Sequence, residues 1–119
     1  MMKPSRGEVW EINFDPSIGA EIKKKRPAVV ISADTIGKLP LRIVVPITEW
    51  KPRYADFPWQ IRIDNNVSNG LTKVSAADAF QVKSIDEKRF VRKIGGLAKS
   101  QLDEIAAAIA ICIDFELKI

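Results

Sequence analysis

The chain has 119 residues, 46% of them apolar and 29% charged, with a formal net charge of +4; this is the profile of one globular domain, spanning 1–119, with a mild preference for polyanions. It contains no histidine and a single cysteine, which excludes a Ser–His–Asp triad, a Cys–His dyad, a histidine acid/base pair, and zinc sites built on histidine or clustered thiolates. No apolar run approaches the roughly 20 residues of a membrane span, and the N-terminus lacks the apolar core of a signal peptide, so the expected location is cytoplasmic, with no membrane partner.

Taken in chain order, Glu8 to Phe14 alternates, with Trp10, Ile12 and Phe14 on one face and Glu11 and Asn13 on the other; that is a half-buried strand. Asp15 to Gly19 carries turn residues, and a basic loop follows to Arg26. Pro27 to Ser32 is a continuous apolar run, expected as a strand covered on both faces, with Pro27 at its first position. A loop around Gly37 and Pro40 leads to a third strand, Leu41 to Ile47. Glu49 to Pro58 is irregular, and Trp59 to Asp64 alternates again, which places Trp59 in the core. Asn65 to Gly70 is a turn cluster. Short strands are expected within Leu71 to Val82 and from Phe90 to Ile94, with Gly95-Gly96 breaking the pattern. The last element is a helix capped at Ser100, with Asp103 at capping-box spacing. Leu102, Ile105, Ala106, Ile109 and Ile113 recur at helical intervals, and the stretch from Ile105 to Ile113 is apolar nearly all round, which suggests cover on more than one side, as at the centre of a small barrel or under a subunit contact. Many short strands and one closing helix make a mainly β protein, a small antiparallel barrel with a C-terminal helix.

Three clusters can carry chemistry. Glu21 lies in a glycine-containing loop just before Lys23, Lys24, Lys25 and Arg26. A guanidinium at a strand's start is held by the sheet and suits bidentate binding of phosphate oxygens, while the three lysines supply looser attraction to a phosphate backbone. A solvated basic loop is the competing explanation. Thr48, at the end of an apolar strand, offers a hydroxyl to a phosphate, although threonine is also routine there. Trp50, Tyr54, Phe57 and Trp59, among Lys51, Arg53 and Arg62, form the third cluster; aromatic faces beside cations stack bases and hold their backbone, and Trp50 and Tyr54, in irregular sequence, are the better stacking candidates. A second basic block, Lys83 to Lys93, adds Lys83 to the candidate RNA-binding set. RNA carries its own nucleophile, so cleavage through the 2′-OH needs only positioning, a base, an acid and charge stabilisation. Neither a metal nor another cofactor is required.

The chain resembles the MazF/PemK toxin family. The match runs through Arg6-Gly7-Glu8-Val9-Trp10, Asp15 to Glu21, Arg26 to Ser32, Val45-Pro46-Ile47-Thr48 and Ser75 to Asp86, which contains Gln81-Val82-Lys83-Ser84-Ile85-Asp86. The resemblance implies an SH3-like barrel of the CcdB/PemK type, assembled as a homodimer, and sequence-selective cleavage of single-stranded RNA to 2′,3′-cyclic phosphate and 5′-hydroxyl ends. It also implies inhibition by a cognate antitoxin. The family's catalytic arginine and threonine fall on Arg26 and Thr48, and its loop glutamate on Glu21. Many relatives place an acidic residue just before the glutamine of the last segment; here that position is Phe80, and the nearest carboxylate is Asp78. Glu21 is therefore the favoured base and Asp78 the alternative. Two other functions remain open on the same barrel: a CcdB-like toxin directed at DNA gyrase, and a catalytically silent RNA-binding module.

Overall fold

The computed structural model describes residues 3–36 and 38–116; Gly37 of the expected loop, and Lys118, lie outside them. Seven strands form one antiparallel sheet in the order β4-β5-β3-β2-β1-β7, with β6 pairing β3. The strands are β1 (Glu8–Asn13), β2 (Lys25–Val30), β3 (Leu41–Glu49), β4 (Gln60–Ile63), β5 (Ser75–Asp78), β6 (Lys83–Asp86) and β7 (Phe90–Gly96), and α1 (Lys99–Cys112) closes the chain. The expected barrel of short strands with a C-terminal helix is the fold observed.

β3 is the spine. One edge pairs β2 through Val44–Pro46; the other pairs β6 through Leu41–Val44 and then β5 through Ile47–Glu49. Pro46 sits where that second edge changes partner, so its missing N–H breaks no ladder there. Pro27 lies third in β2 rather than first. It is tolerated because β3 pairing starts only at Ala28, and as a result Lys25 and Arg26 belong to the sheet, paired with Asn13 and Ile12.

The β1–β2–β3 layer is buried on both sides, as the unbroken apolar run of β2 requires. On one side Val9, Val29, Val45 and Ile47 pack with Ile63, Ala77, Leu102 and Ile105. On the other, Trp10, Ile12, Phe14, Ala28, Val30 and Val44 pack with Ile85 and Phe90. Gly95 does not break β7. It lets the 65–70 turn sit directly on the strand, where a Cβ would lie 2.5 Å from the Ser68 carbonyl oxygen.

Two helix expectations are corrected. The N-cap is Ala98 rather than Ser100; the Ala98 amide donates to Gln101 Oε1 at 3.3 Å, while Asp103 pairs with Lys99 at 3.1 Å. Within one chain the helix is covered on one side only. Leu102, Ile105 and Ala108 are buried, whereas Ile111 and Ile113 are 58% and 69% exposed, so α1 is not threaded through a barrel centre. Trp59 is half-buried and precedes β4 instead of entering the core, because the strand begins at Gln60. Among the described residues no helix is long and apolar enough to cross a membrane.

Candidate active site

Arg26 and Thr48 lie just beyond the end of the β2–β3 ladder. β2 and β3 pair Val30 with Val44, Val29 with Val45 and Ala28 with Pro46, and Arg26 and Thr48 each follow the last pair by two residues. Alternation along a strand sets both side chains on the side that carries Ala28 and Pro46. Thr48 opposes Ala76 in β5, and Ala76 opposes Arg62 in β4. One rung therefore crosses three strands as Thr48, Ala76 and Arg62.

Arg26 and Thr48 also line one cleft of about 300 Å³ together with Glu11, Glu49, Lys73 and Arg92. The charges of these four are internally matched. Arg92 Nε lies 3.8 Å from Glu11 Oε1, and Lys73 Nζ lies 3.6 Å from Glu49 Oε2. Arg26 has no side-chain hydrogen bond or ion pair among the described residues and is exposed. An unengaged guanidinium anchored in a strand is ready for an anion. Glu11 and Glu49 were not apparent from the sequence as cleft residues. They reach it only because β1, β3 and the 70–75 segment converge, and strand alternation sets both on the face opposite Thr48.

Glu21 occupies a different recess, lined by Ala20, Ile22, Phe80, Gln81, Val82 and Lys83. Its Oε1 accepts from the Ile18 amide at 2.8 Å, closing a turn whose other bond runs from Glu21 N to Ile18 O. Gln81 ties that loop to the body: its Oε1 accepts from Ile22 N and its Nε2 donates to Ala20 O. Lys83 shares this recess, and Lys23, Lys24 and Lys25 are exposed along the loop's return into β2.

Asp78 lines neither the cleft nor the recess. It caps the 3-10 turn Ala79–Gln81 by accepting from the Phe80 amide at 3.1 Å. Burial pushes its carboxyl above the usual aspartate range, against the pull of hydrogen bonds from Phe80, Gln81 and Gln60. The Cys112 thiol is likewise raised by burial, with the charge of Asp78 adding to the effect. A raised thiol pKa leaves Cys112 a poor nucleophile.

The aromatic candidates sit on the 3-10 turn Pro52–Asp56 and its flanks. Trp50 meets Tyr54 edge-on at 5.8 Å, and Arg53 lies over the Tyr54 ring at 5.3 Å. The series continues through Phe57, stacked on Trp59 at 4.9 Å, to Phe80, which is 64% exposed. The sequence grouped Trp50, Tyr54, Phe57 and Trp59; Phe80 joins them through tertiary contact with Trp59.

An antiparallel barrel with a closing helix, carrying an unengaged arginine and a threonine in one cleft, defines a small β-barrel protein with a candidate anion site. Residues 5–113 match the family described as PemK-like, MazF-like toxin of type II toxin-antitoxin system, and the chain belongs to that family. It is 31% identical over 115 residues to endoribonuclease MazF9 of Mycobacterium tuberculosis, covering 92% of this chain and 95% of that protein. The fold is shared with solved MazF structures. MazF of Deinococcus radiodurans superposes with a TM-score of 0.81 at 21% identity, covering 97% of this chain and 100% of that one. The M. tuberculosis toxin MazF-mt6 gives a TM-score of 0.74 at 22% identity, covering 92% and 99%. A mycobacterial endoribonuclease solved with its cognate antitoxin gives 0.74 at 12% identity, covering 98% and 100%.

Proposed function

We propose that this chain is the toxin of a toxin–antitoxin pair and acts as an endoribonuclease, cutting single-stranded RNA through the RNA's own 2′-hydroxyl. The observation that carries this reading is the unengaged Arg26 guanidinium lining one cleft with Thr48. In the proposed reaction a base removes the 2′-OH proton, O2′ bonds to phosphorus, and the P–O5′ bond breaks. The 5′-oxygen takes a proton from water in the open cleft, leaving a 2′,3′-cyclic phosphate and a 5′-hydroxyl. Arg26 offers two N–H groups to the non-bridging oxygens where negative charge builds up, and Thr48 donates a third hydrogen bond. Arg26 acts through charge and hydrogen bonds, since a guanidinium is a donor that does not give up its proton in proteins.

Glu21 is the proposed base. Its Oε1 is engaged by Ile18, so the proton goes to Oε2, or the Ile18–Glu21 turn opens when RNA enters. Lys23, Lys24, Lys25, Arg53 and Lys83 attract the backbone, and Trp50 and Tyr54 stack bases. A homodimer and a cognate antitoxin belong to the same reading: the exposed Ile111, Ile113 and Phe115 form an uncovered apolar end of α1 suited to self-pairing. The antitoxin expectation rests on family membership and on the relative solved with one.

The test is a mixed-sequence single-stranded RNA incubated with the protein in EDTA, with Arg26→Ala as control and the product ends mapped. Cyclic phosphate ends that vanish in the variant establish the mechanism and its independence of divalent metal. Binding without cleavage favours the silent RNA-binding module, and absence of both turns attention to gyrase.

A further inference from the structure

We infer that Arg62 is a second phosphate-binding residue, holding a backbone phosphate that flanks the one held by Arg26. This rests on the single-stranded RNA reading given above. The rung Thr48, Ala76, Arg62 is fixed by two independent strand pairings. Ala76 between them is fully buried, so Thr48 and Arg62 on either side of it are the members of this rung that reach the surface. Two strand spacings of about 4.8 Å separate Thr48 from Arg62 along the rung, a span of about 10 Å that an extended strand crosses at right angles to β3, β5 and β4.

The Arg62 side chain is held ready for this. Its Cζ lies 5.8 Å from the centroid of the Trp50 ring, a cation–π contact that orients the guanidinium while leaving its edge open. Its one ion pair, Nε to Asp64 Oδ1 at 3.2 Å, joins groups whose side chains are 57% and 77% exposed. An exposed pair of this kind is weak, so a phosphate displaces Asp64 at little cost. Asp64 then acts as a competitor that sets the strength of the subsite. Trp50, already a stacking candidate, would position both a base and the arginine beside it.

The experiment measures binding of a mixed-sequence single-stranded DNA, which lacks the 2′-OH and cannot be cut, across a salt series. Cleavage kinetics on RNA accompany it. Arg62→Ala is expected to lower the slope of log K against log salt by about 0.7, the share of one phosphate on a single strand. KM should rise ~3- to 10-fold with kcat held. Arg62→Lys should keep the slope. Asp64→Asn should tighten binding, and only while Arg62 is present. An unchanged slope and KM in Arg62→Ala, with a lowered slope in Arg26→Ala, would overturn the subsite while sparing the active site. Tightening by Asp64→Asn that persists without Arg62 would overturn it as well. Folded native protein without salt-dependent binding would remove both readings together.

Discussion

The side-chain amide of Gln81 grips the loop between β1 and β2 on both sides of Glu21, accepting from the Ile22 amide and donating to the Ala20 carbonyl at 3.3 Å. A side chain here does what a neighbouring strand would do: it satisfies the backbone of a segment that otherwise folds only on itself. Phe80 and Val82 flank Gln81 in the same recess, so the position of Glu21 is set from the 3-10 turn Ala79–Gln81 rather than from the sheet.

Gln81→Ala should therefore loosen the loop without unfolding the barrel. Two hydrogen bonds at a partly exposed site contribute on the order of 1–2 kcal/mol together, and the loss should appear as faster amide exchange at Ile22, with β1 and β2 unchanged. Gln81→Glu keeps the acceptor for Ile22 but sets a carboxylate against the Ala20 carbonyl, so it should not restore protection. If Glu21 is the base, RNA cleavage should fall in both variants. Equal exchange at Ile22 in the variant and native proteins would show that the loop holds itself.

Asp78 and Glu21 can be separated by stability and activity measured together. Gln60 Oε1 is buried without a hydrogen-bond partner, and Gln60 opposes Asp78 across β4 and β5. Asp78→Asn can keep an acceptor for the Phe80 amide and bring an N–H toward that orphan, so it should stabilise the fold by about 1 kcal/mol at neutral pH. The pH dependence has a definite sign. Burial raises the Asp78 carboxyl in the folded state, so the folded protein holds this proton more tightly than the unfolded chain does. Stability from this group is present below the unfolded pKa and is lost as pH rises through the raised folded value. The advantage of Asp78→Asn should therefore shrink in acid, where the protonated carboxyl can itself donate. Cleavage should survive Asp78→Asn and fall sharply in Glu21→Gln; the reverse pattern would make Asp78 the base.

Much of this architecture was legible in the sequence because side-chain period reports burial directly. The alternation in β1, the unbroken apolar run of β2 and the spacing of Leu102 and Ile105 each correspond to an observed element. The errors fall where local pattern and tertiary pairing differ. Pro27 reads as a strand start, yet β2 extends back to Lys25 because the partner on that side of Pro27 is absent. Gly95-Gly96 reads as a break, yet β7 runs through it because the 65–70 turn needs a strand without side chains at that point. Arg26 and Thr48 were individually recognisable as candidates, but the cleft they share forms only where β1, β3 and the 70–75 segment converge, and the alignment of Arg62 with Thr48 is a consequence of register. The occupation of the Glu21 carboxylate by Ile18 lies beyond any periodicity, since it depends on how one turn closes.

Gly95→Ala tests the close packing under the 65–70 turn. The added methyl would lie 2.5 Å from the Ser68 carbonyl oxygen and from the Asn69 carbonyl carbon, both backbone atoms that cannot rotate away. Asn69 is 1% exposed and organises the turn, donating to the Asp64 carbonyl at 2.9 Å and accepting from the Leu71 amide at 3.0 Å. The substitution should cost at least the ~1–3 kcal/mol of an overpacked site, seen as a lower thermal midpoint. A midpoint within error of the native value would mean that the turn lifts off β7 freely.

The uncovered end of α1 makes the last prediction. Ile111, Ile113 and Phe115 are 58%, 69% and 61% exposed, although the same helix buries Leu102, Ile105 and Ala108 against the sheet. Leaving three large apolar side chains in water forgoes roughly 1.5–3 kcal/mol apiece, which self-association through this face would recover. If the chain pairs through this face, the native protein should sediment as a dimer and Ile111→Glu combined with Ile113→Glu as a monomer, since two carboxylates brought to a twofold contact are each doubled by the partner. The monomer should retain its β signal in circular dichroism, because neither residue contributes to the buried face of the helix. A dimer that persists in the double variant would place the pairing surface elsewhere, with the exposed Leu39, Leu41 and Ile43 the next apolar group to substitute.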